Sequence, residues 1–464
     1  MKTLFLSFSL FLFSFCLFSQ TNSPVQEGQL IPYNYARLSP QNTEFKMKAN
    51  GKEIFVYNTS AAPFAAFSCS GPVVIEIELP ARASKVSVSP KKYGISVEVT
   101  GNKAKFTIPG PMLLALEFDI MPEMYIYANP VEKNAPEATA PGVKYFKAGQ
   151  IYEVGELRLK DNETLYIEGG AVVRGCVRAT SAKNVHIAGY GILDGGYYKR
   201  GVDGHRSIVF EDCCYSSIEN IIMIEPSSWM IMLGICQNVL VKNVKELGFV
   251  ASSDGIDIVG SKQIKVENCM FRNGDDCVAI KSLDLREHGS DASLDYSQDV
   301  DSVLVSRCTF VSYLGGAALE IGHELRTGSV RNIRFADCDI LGVHGWGGIF
   351  GIHNADRATV SNISYENIHV EHHYNKLVDL KVIKSMWGKD AERGQIRNVS
   401  FKNIDATINQ FNPGYSVSLI GGYDTKHTIE NVSFENFRLN GKIATTADEL
   451  DLYVKQAKEI QFKF

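Results

Sequence analysis

Two acidic segments carry residues that could do chemistry. "ASSDGIDIVGS" holds Asp254 and Asp257, and "NGDDCVAIKS" holds Asp275 and Asp276. Neighbouring carboxylates repel, and in a regular strand one of the Asp275–Asp276 pair would point into the core unpaired, at a cost of several kcal/mol. Gly274 directly before them permits a bend or bulge that turns both outward. Asp254 precedes Asp275 by 21 residues. That is close to one coil of a repetitive β fold, so the two would occupy neighbouring rungs ~4.8 Å apart. Three carboxylates then share one patch. Their repulsion raises at least one pKa, so that one carboxyl stays protonated as a general acid while another acts as a base. Two carboxyl roles at ~6.5–9.5 Å, with room for a water between them, are what inverting glycoside hydrolysis requires. Acids in this pattern also cap turns or bind a cation.

Such a patch needs rungs to hold it. From about Val143 the chain repeats a short strand, a polar residue and a second short strand, as in "SIENIIMI", "QIKVENCMF", "NIRFADCDI", "NISYENIHV" and "TIENVSFENF". Aligning the residue before the second strand gives Asn220, Asn243, Asn268, Arg307, Asp337, Asn367, Asn403 and Asn436, at intervals of 23 to 39 residues. Recurrent strands at that period, with no helical segments between them, predict a right-handed parallel β-helix whose coils pair above and below. Asn at the bends tolerates left-handed backbone and stacks into ladders, a structural role. The preceding segment, 21–140, alternates in strand fashion ("VVIEIELP", "KVSVSP", "ISVEVTG", "AKFTIPGP") and predicts a small β-sandwich. "YANPVEKNAPEATAPG", Tyr127 to Gly142, reads as a linker, with the β-helix over 141–464. The expected fold class is all-β.

Composition bounds the function. A chain of 464 residues with 45% hydrophobic and 21% charged residues describes a soluble globular protein. A net charge of -5 supplies no basic field for nucleic acid. Residues 1–20 carry one Lys, at position 2, followed by an apolar run of about 15 residues, the layout of a cleavable secretory signal. This predicts a secreted or periplasmic protein. A lipoprotein anchor at Cys16 fits less well, because Phe15 is bulky where a small residue is needed. No later apolar run is long enough to span a membrane. Nine of the 10 cysteines would survive cleavage. An odd number argues against complete disulfide pairing, and their recurrence in "ENCMF", "SRCTF" and "ADCDI" suits small apolar residues in a stacked core. No CxxC pair suggests zinc.

"SSDGIDI" followed by "GDDCVAIKS" resembles the N-T-D and G-D-D signatures of glycoside hydrolase family 28, the polygalacturonases and their relatives. Family 49, of dextranase and isopullulanase type, shares that β-helix clan and carries a β-sandwich before the helix, as this chain is expected to. The resemblance implies that Asp275 is the general acid and that Asp254 and Asp276 position and deprotonate the attacking water. Two departures stand out. Where polygalacturonases read G-H-G this chain has "LGGAALEIGHEL", with Ala317 at the histidine position and His323 six residues later. Their R-I-K appears as "VIKSMWG", keeping Lys384 but placing Val382 at the arginine. Those basic residues hold a galacturonate carboxylate, so their loss weakens a pectin assignment. "ALEIGHELRTGSVRNIRFADCDIL" looks closer to family 49, whose substrates are neutral glucans.

Candidate substrate contacts are Lys384, His323, Trp229 and Trp346. Trp229, one coil before Asp254, could stack on a sugar ring or fill the core, and Trp346 lies in a Gly-rich loop with His344 and His353. His323, near Glu320, could contact sugar, support an aspartate or be a structural histidine. The insert from Leu283 to Ser302 is expected to be a solvated loop over the cleft; its acids lack the spacing of an EF-hand. No cofactor or metal is expected, and the expected partner is a polysaccharide or an oligosaccharide derived from it. Two other readings share the fold: a polysaccharide lyase with calcium and a basic proton acceptor, and a non-catalytic carbohydrate-binding β-helix. Sugar, linkage and oligomeric state are left open.

Overall fold

A computed structural model describes residues 28–463 apart from 82, 84, 119–120, 201–204, 289–291 and 409–415. The expected signal segment at 1–20 lies outside the described residues. Among those described, no helix is long and apolar enough to cross a membrane.

The alternating N-terminal strands form two sheets. In Val73–Glu78, Val73, Ile75 and Ile77 are buried and Glu76 is exposed, which is the period of a half-buried strand. Lys52–Ile54, Lys46–Ala49, Val73–Glu78, Lys103–Ile108 and Glu98–Thr100 make a five-stranded antiparallel sheet. It faces a six-stranded sheet that includes Phe64–Cys69, Met112–Phe118 and Met121–Pro130, across a core containing Phe45, Phe67, Ile75, Phe106, Leu114 and Ile126.

From Val143 the strands enter one 30-stranded ladder in which each coil pairs in parallel with the next. Its winding is right-handed, the hand that parallel crossovers take. Nine strands of one face carry the site or flank it, and we number them β1 (Ile208–Glu211), β2 (Ile231–Gly234), β3 (Ile256–Val259), β4 (Val278–Ser282), β5 (Leu319–Leu325), β6 (Phe350–Asn354), β7 (Val378–Val382), β8 (Ser418–Gly421) and β9 (Leu452–Lys455). Each pairs with the next in this order. Inward residues such as Ile256, Val278, Leu319, Phe350 and Val378 join the coil interior. The intervening residues face outward.

The bends are where the polar repeat falls. All eight aligned residues, from Asn220 to Asn436, have positive φ. Their side chains form a ladder: Asn367 donates to Asp337 at 2.9 Å, Asn403 to Asn367 at 2.9 Å and Asn436 to Asn403 at 2.9 Å. A second ladder, Asn332–Asn362–Asn398–Asn431, runs beside it at 2.9 to 3.1 Å. Inside, Phe335, Tyr365, Phe401, Phe434 and Phe462 stack with ring centroids 4.9 to 5.1 Å apart. Parallel register repeats one residue type at one position, and the stack follows. The nine described cysteines are free thiols, eight of them buried.

The sandwich lies against the third face of the coil. Tyr33, Tyr57, Phe64, Tyr125 and Tyr127 share a core with Ile192, Ile222, Leu247, Met270 and Leu341. Polar links close its margin, with Lys92 2.6 Å from Asp339 and Ser89 Oγ donating to Glu371 at 2.7 Å.

Candidate active site

Asp254 ends the turn before β3, and Asp275–Asp276 occupy the turn before β4. These turns are bonded to each other: the Gly255 N–H donates to the Asp276 carbonyl at 2.8 Å. The three carboxylates therefore meet on adjacent rungs, in a cleft of about 450 Å³. Its upper wall is small, made of Gly315, Gly316, Ala317, Gly347 and Gly348. A Cβ on Gly316 would stand 2.0 Å from the Asp276 nitrogen, so this wall lies directly on the peptide that joins the two acids.

Each acid has its own electrostatic surroundings. Burial and the nearby Asp254 charge push Asp275 up to about 7, against the pull of Lys281. Asp276, half-buried, accepts from the Ala317 N–H at 2.6 Å. Burial, Glu320 and Asp254 together hold it well above the usual carboxylate range. The Lys281 ammonium, on β4, bonds Asp254 at 2.9 Å and the fully buried Asp257 at 2.8 Å. Burial opposes its charge, but these carboxylates raise its pKa well above that of an ordinary lysine.

Beyond the aspartates the wall is built by β5–β7. Glu320 bonds His353 Nδ1 at 2.7 Å, and Asp379 lies 3.2 Å from His353 Nε2 and 2.9 Å from Lys381. Burial alone would discharge His353; the two acids overcome it and push the imidazole up to about 9. His323 stacks on His353, with ring centroids 4.6 Å apart. Burial lowers His323 to about 4, leaving it neutral.

Residues 167–451 match the model of Glycosyl hydrolases family 28. The chain belongs to family 28. Among curated relatives it is 28% identical over 122 residues to a probable polygalacturonase of Vitis vinifera and 25% identical over 222 residues to Exopolygalacturonase rpg15 of Rhizopus delemar. These alignments take in 26% and 45% of this chain, and 23% and 50% of the respective relatives. Among solved structures, Dex49A from Penicillium minioluteum aligns with a TM-score of 0.58 at 14% identity over 96% of both chains. A family 28 exopolygalacturonase of Yersinia enterocolitica aligns at 0.52 and 12% identity, over 94% of this chain and 98% of that one. At such identities these two likenesses speak for the fold.

In this family 28 chain Trp229, Trp346 and His323 line the cleft with the three aspartates. Trp346 is 81% exposed, whereas Trp229 is half-buried, with Lys281 4.1 Å and Arg206 4.3 Å from its ring centre. Lys384 is exposed and is not among the residues lining the cleft, and Val382 is part of the coil interior. The charged cadence facing the cleft is instead Asp379–Leu380–Lys381, three residues earlier. Its signal in the sequence is the alternation in "LVDLKV", charges at every second place in an apolar strand. Lys376 and Trp387 also line the cleft and were not singled out. Trp387 could have been found by count, since all three tryptophans of the chain line this one cleft.

The expectation that the insert from Leu283 to Ser302 lies over the cleft needs correction: its described residues do not line it. Leu283, Leu285 and Tyr296 are buried against Val209, Met232 and Val259 on the outer face of β1–β3. Tyr296 and Ser293 also bond Glu211. Apolar anchors hidden among acids made a packed flap look like a solvated loop.

Two groups of side chains have metal-ligating geometry among the described residues: Glu156–Cys176–His205 and Glu320–His323–His353. Arg178 bonds Glu156 at 2.9 Å and His205 at 3.2 Å, so the first already holds a cation. In the second the charged His353 fills that role.

Proposed function

We propose that this chain is an inverting glycoside hydrolase that cuts glycosidic bonds in a polysaccharide or an oligosaccharide derived from it. The observation that carries the reading is the meeting of Asp254, Asp275 and Asp276 on two bonded turns, in unlike electrostatic surroundings. Asp275, pushed up to about 7, keeps a proton to give to the leaving oxygen. Asp254, hydrogen-bonded to the Lys281 ammonium, draws the proton from water, and Asp276, anchored by the Ala317 N–H, orients that water. The exposed Trp346 and Trp387 offer flat faces to sugar rings. Polygalacturonase relatives support a pectin-type substrate; Ala317 and Asp379, in places where basic groups would hold a uronate, support an α-glucan type.

The lyase reading needs a lysine able to take a proton. Lys281 is committed to two carboxylates and has a raised pKa, which makes it a poor base. The deciding experiment incubates the purified protein with pectic and α-glucan polysaccharides and follows reducing ends and product anomer by NMR. Hydrolysis with inversion, lost in Asp275→Asn, is expected. Retained configuration, an unsaturated product or undiminished turnover by the variant would sink the assignment.

A further inference from the structure

The floor of the cleft is a two-column charge array. Strand register sets Asp257, Ala279, Glu320, Gly351 and Asp379 in one outward column. The next column runs through Gly322, His353 and Lys381, with Lys281 on the rung before it, where the β4–β5 register is interrupted. Acids fill one column and bases the other, and they are paired: Asp257 with Lys281 at 2.8 Å, Glu320 with His353 at 2.7 Å, Asp379 with Lys381 at 2.9 Å and with Lys376 at 3.7 Å. Small residues alternate with the acids to make room. A Cβ on Gly351 would come 2.0 Å from Glu320 Oε2.

Among the described residues, every lysine lining the cleft and the charged His353 already face a carboxylate. Asp275 and Asp276 tend to hold protons, and the other lining acids, Asp254, Glu320, Glu324 and Asp379, match the lining cations Lys281, Lys376, Lys381 and His353 in number. Among the residues lining the cleft, a sugar carboxylate would meet no cation without a carboxylate partner and would face several like charges, an arrangement that disfavours the anion. A hydroxyl meets the opposite situation. The carboxylates of Glu320 and Asp379 accept from it, Lys381 donates to it, and His323 brings a buried Nδ1 without a hydrogen-bond partner on a neutral ring. Sites that pair a substrate hydroxyl with buried polar groups discriminate strongly.

Resting on the hydrolase reading above, we propose that Glu320, His323, His353, Asp379 and Lys381 form a subsite for an uncharged sugar residue and exclude a uronate. The test titrates the Asp275→Asn protein, full length, with two matched pairs of α-linked trisaccharides: galactose against galacturonate, and glucose against glucuronate. At least one neutral member is expected to bind tenfold or more tightly than its acid. Asp379→Asn, added to the first substitution, leaves Lys376 and Lys381 without their carboxylate and His353 with Glu320 alone, and is expected to narrow that ratio at least fivefold. Uronate binding equal to or tighter than neutral, absence of any neutral binding, or an unchanged ratio in the double variant overturns the proposal. Should the double variant fail to fold, the ratio on the single variant decides. Neutral preference without turnover by the wild-type protein would leave this subsite standing and remove the hydrolase reading; turnover with uronate preference would do the reverse.

Discussion

The Lys281 ammonium joins Asp254 to the buried Asp257 and leans on the Trp229 ring. Lys281→Met would leave two unpaired acids in a buried place, for which about 3–5 kcal/mol of lost stability is expected, read from the midpoint of urea unfolding. Asp275, proposed as the general acid, can serve only while protonated. With its pKa pushed up to about 7, kcat/KM should fall as pH rises through about 7, and a pH–rate profile on any cleaved glycan checks this. His353 acts on stability in a different window. Its folded pKa, about 9, exceeds the unfolded ~6.5, so its contribution is present in full below ~6.5 and is lost as pH rises through about 9. The expected size is roughly 3 kcal/mol. His353→Gln should melt lower than wild type at pH 6 and lose less on going to pH 9.5; equal slopes in the two proteins would contradict the role given to the Glu320–His353–Asp379 array.

At the scale of elements, the coil is held by repetition of one residue type at one register position. Asn403 has φ 52° and bonds both neighbours in its ladder, at 2.9 Å each. Asn403→Ala should cost about 2 kcal/mol, from the left-handed backbone and the lost bonds, visible in thermal unfolding. The strand stack also sets the cleft by what it leaves out. Gly351→Ala places a methyl against the buried Glu320 carboxylate, and roughly a tenfold loss of kcat/KM is expected together with a lower melting temperature, because Glu320 is pushed off His353. The Asn repeat, the period of the coils and the strand before each bend were legible in the sequence, because each is a local pattern that parallel pairing amplifies. The second Asn ladder and the cadence Asp379–Leu380–Lys381 were present too, but read one strand at a time they look like ordinary polar exposure.

For the whole molecule, the sandwich acts as a cover. Its Tyr33, Tyr57, Phe64, Tyr125 and Tyr127 close over Ile192, Ile222, Leu247, Met270 and Leu341 on a face that water would otherwise reach. A chain beginning at Val143 would expose that face and should aggregate on refolding, whereas the full chain stays monodisperse in size-exclusion chromatography. On the opposite side the flap with Leu283, Leu285 and Tyr296 seals β1–β3. The cleft lies further along that same face, over β4–β7, framed by Trp346 and Trp387.

By itself the sequence determined the all-β coil, the bends at Asn and the three acidic positions, because strand alternation, left-handed tolerance and a spacing of one coil are written in consecutive residues. It could not say which lysine faces the cleft. Val382 and Lys384 lie two residues apart, yet one is in the coil interior and the other in an exposed turn, since β7 ends between them. Only the tertiary structure decided that Glu320, His353 and Asp379, from three coils, would stand side by side. Contact between coils depends on how many residues each turn and insert contains, and that register exists only once the coils are stacked.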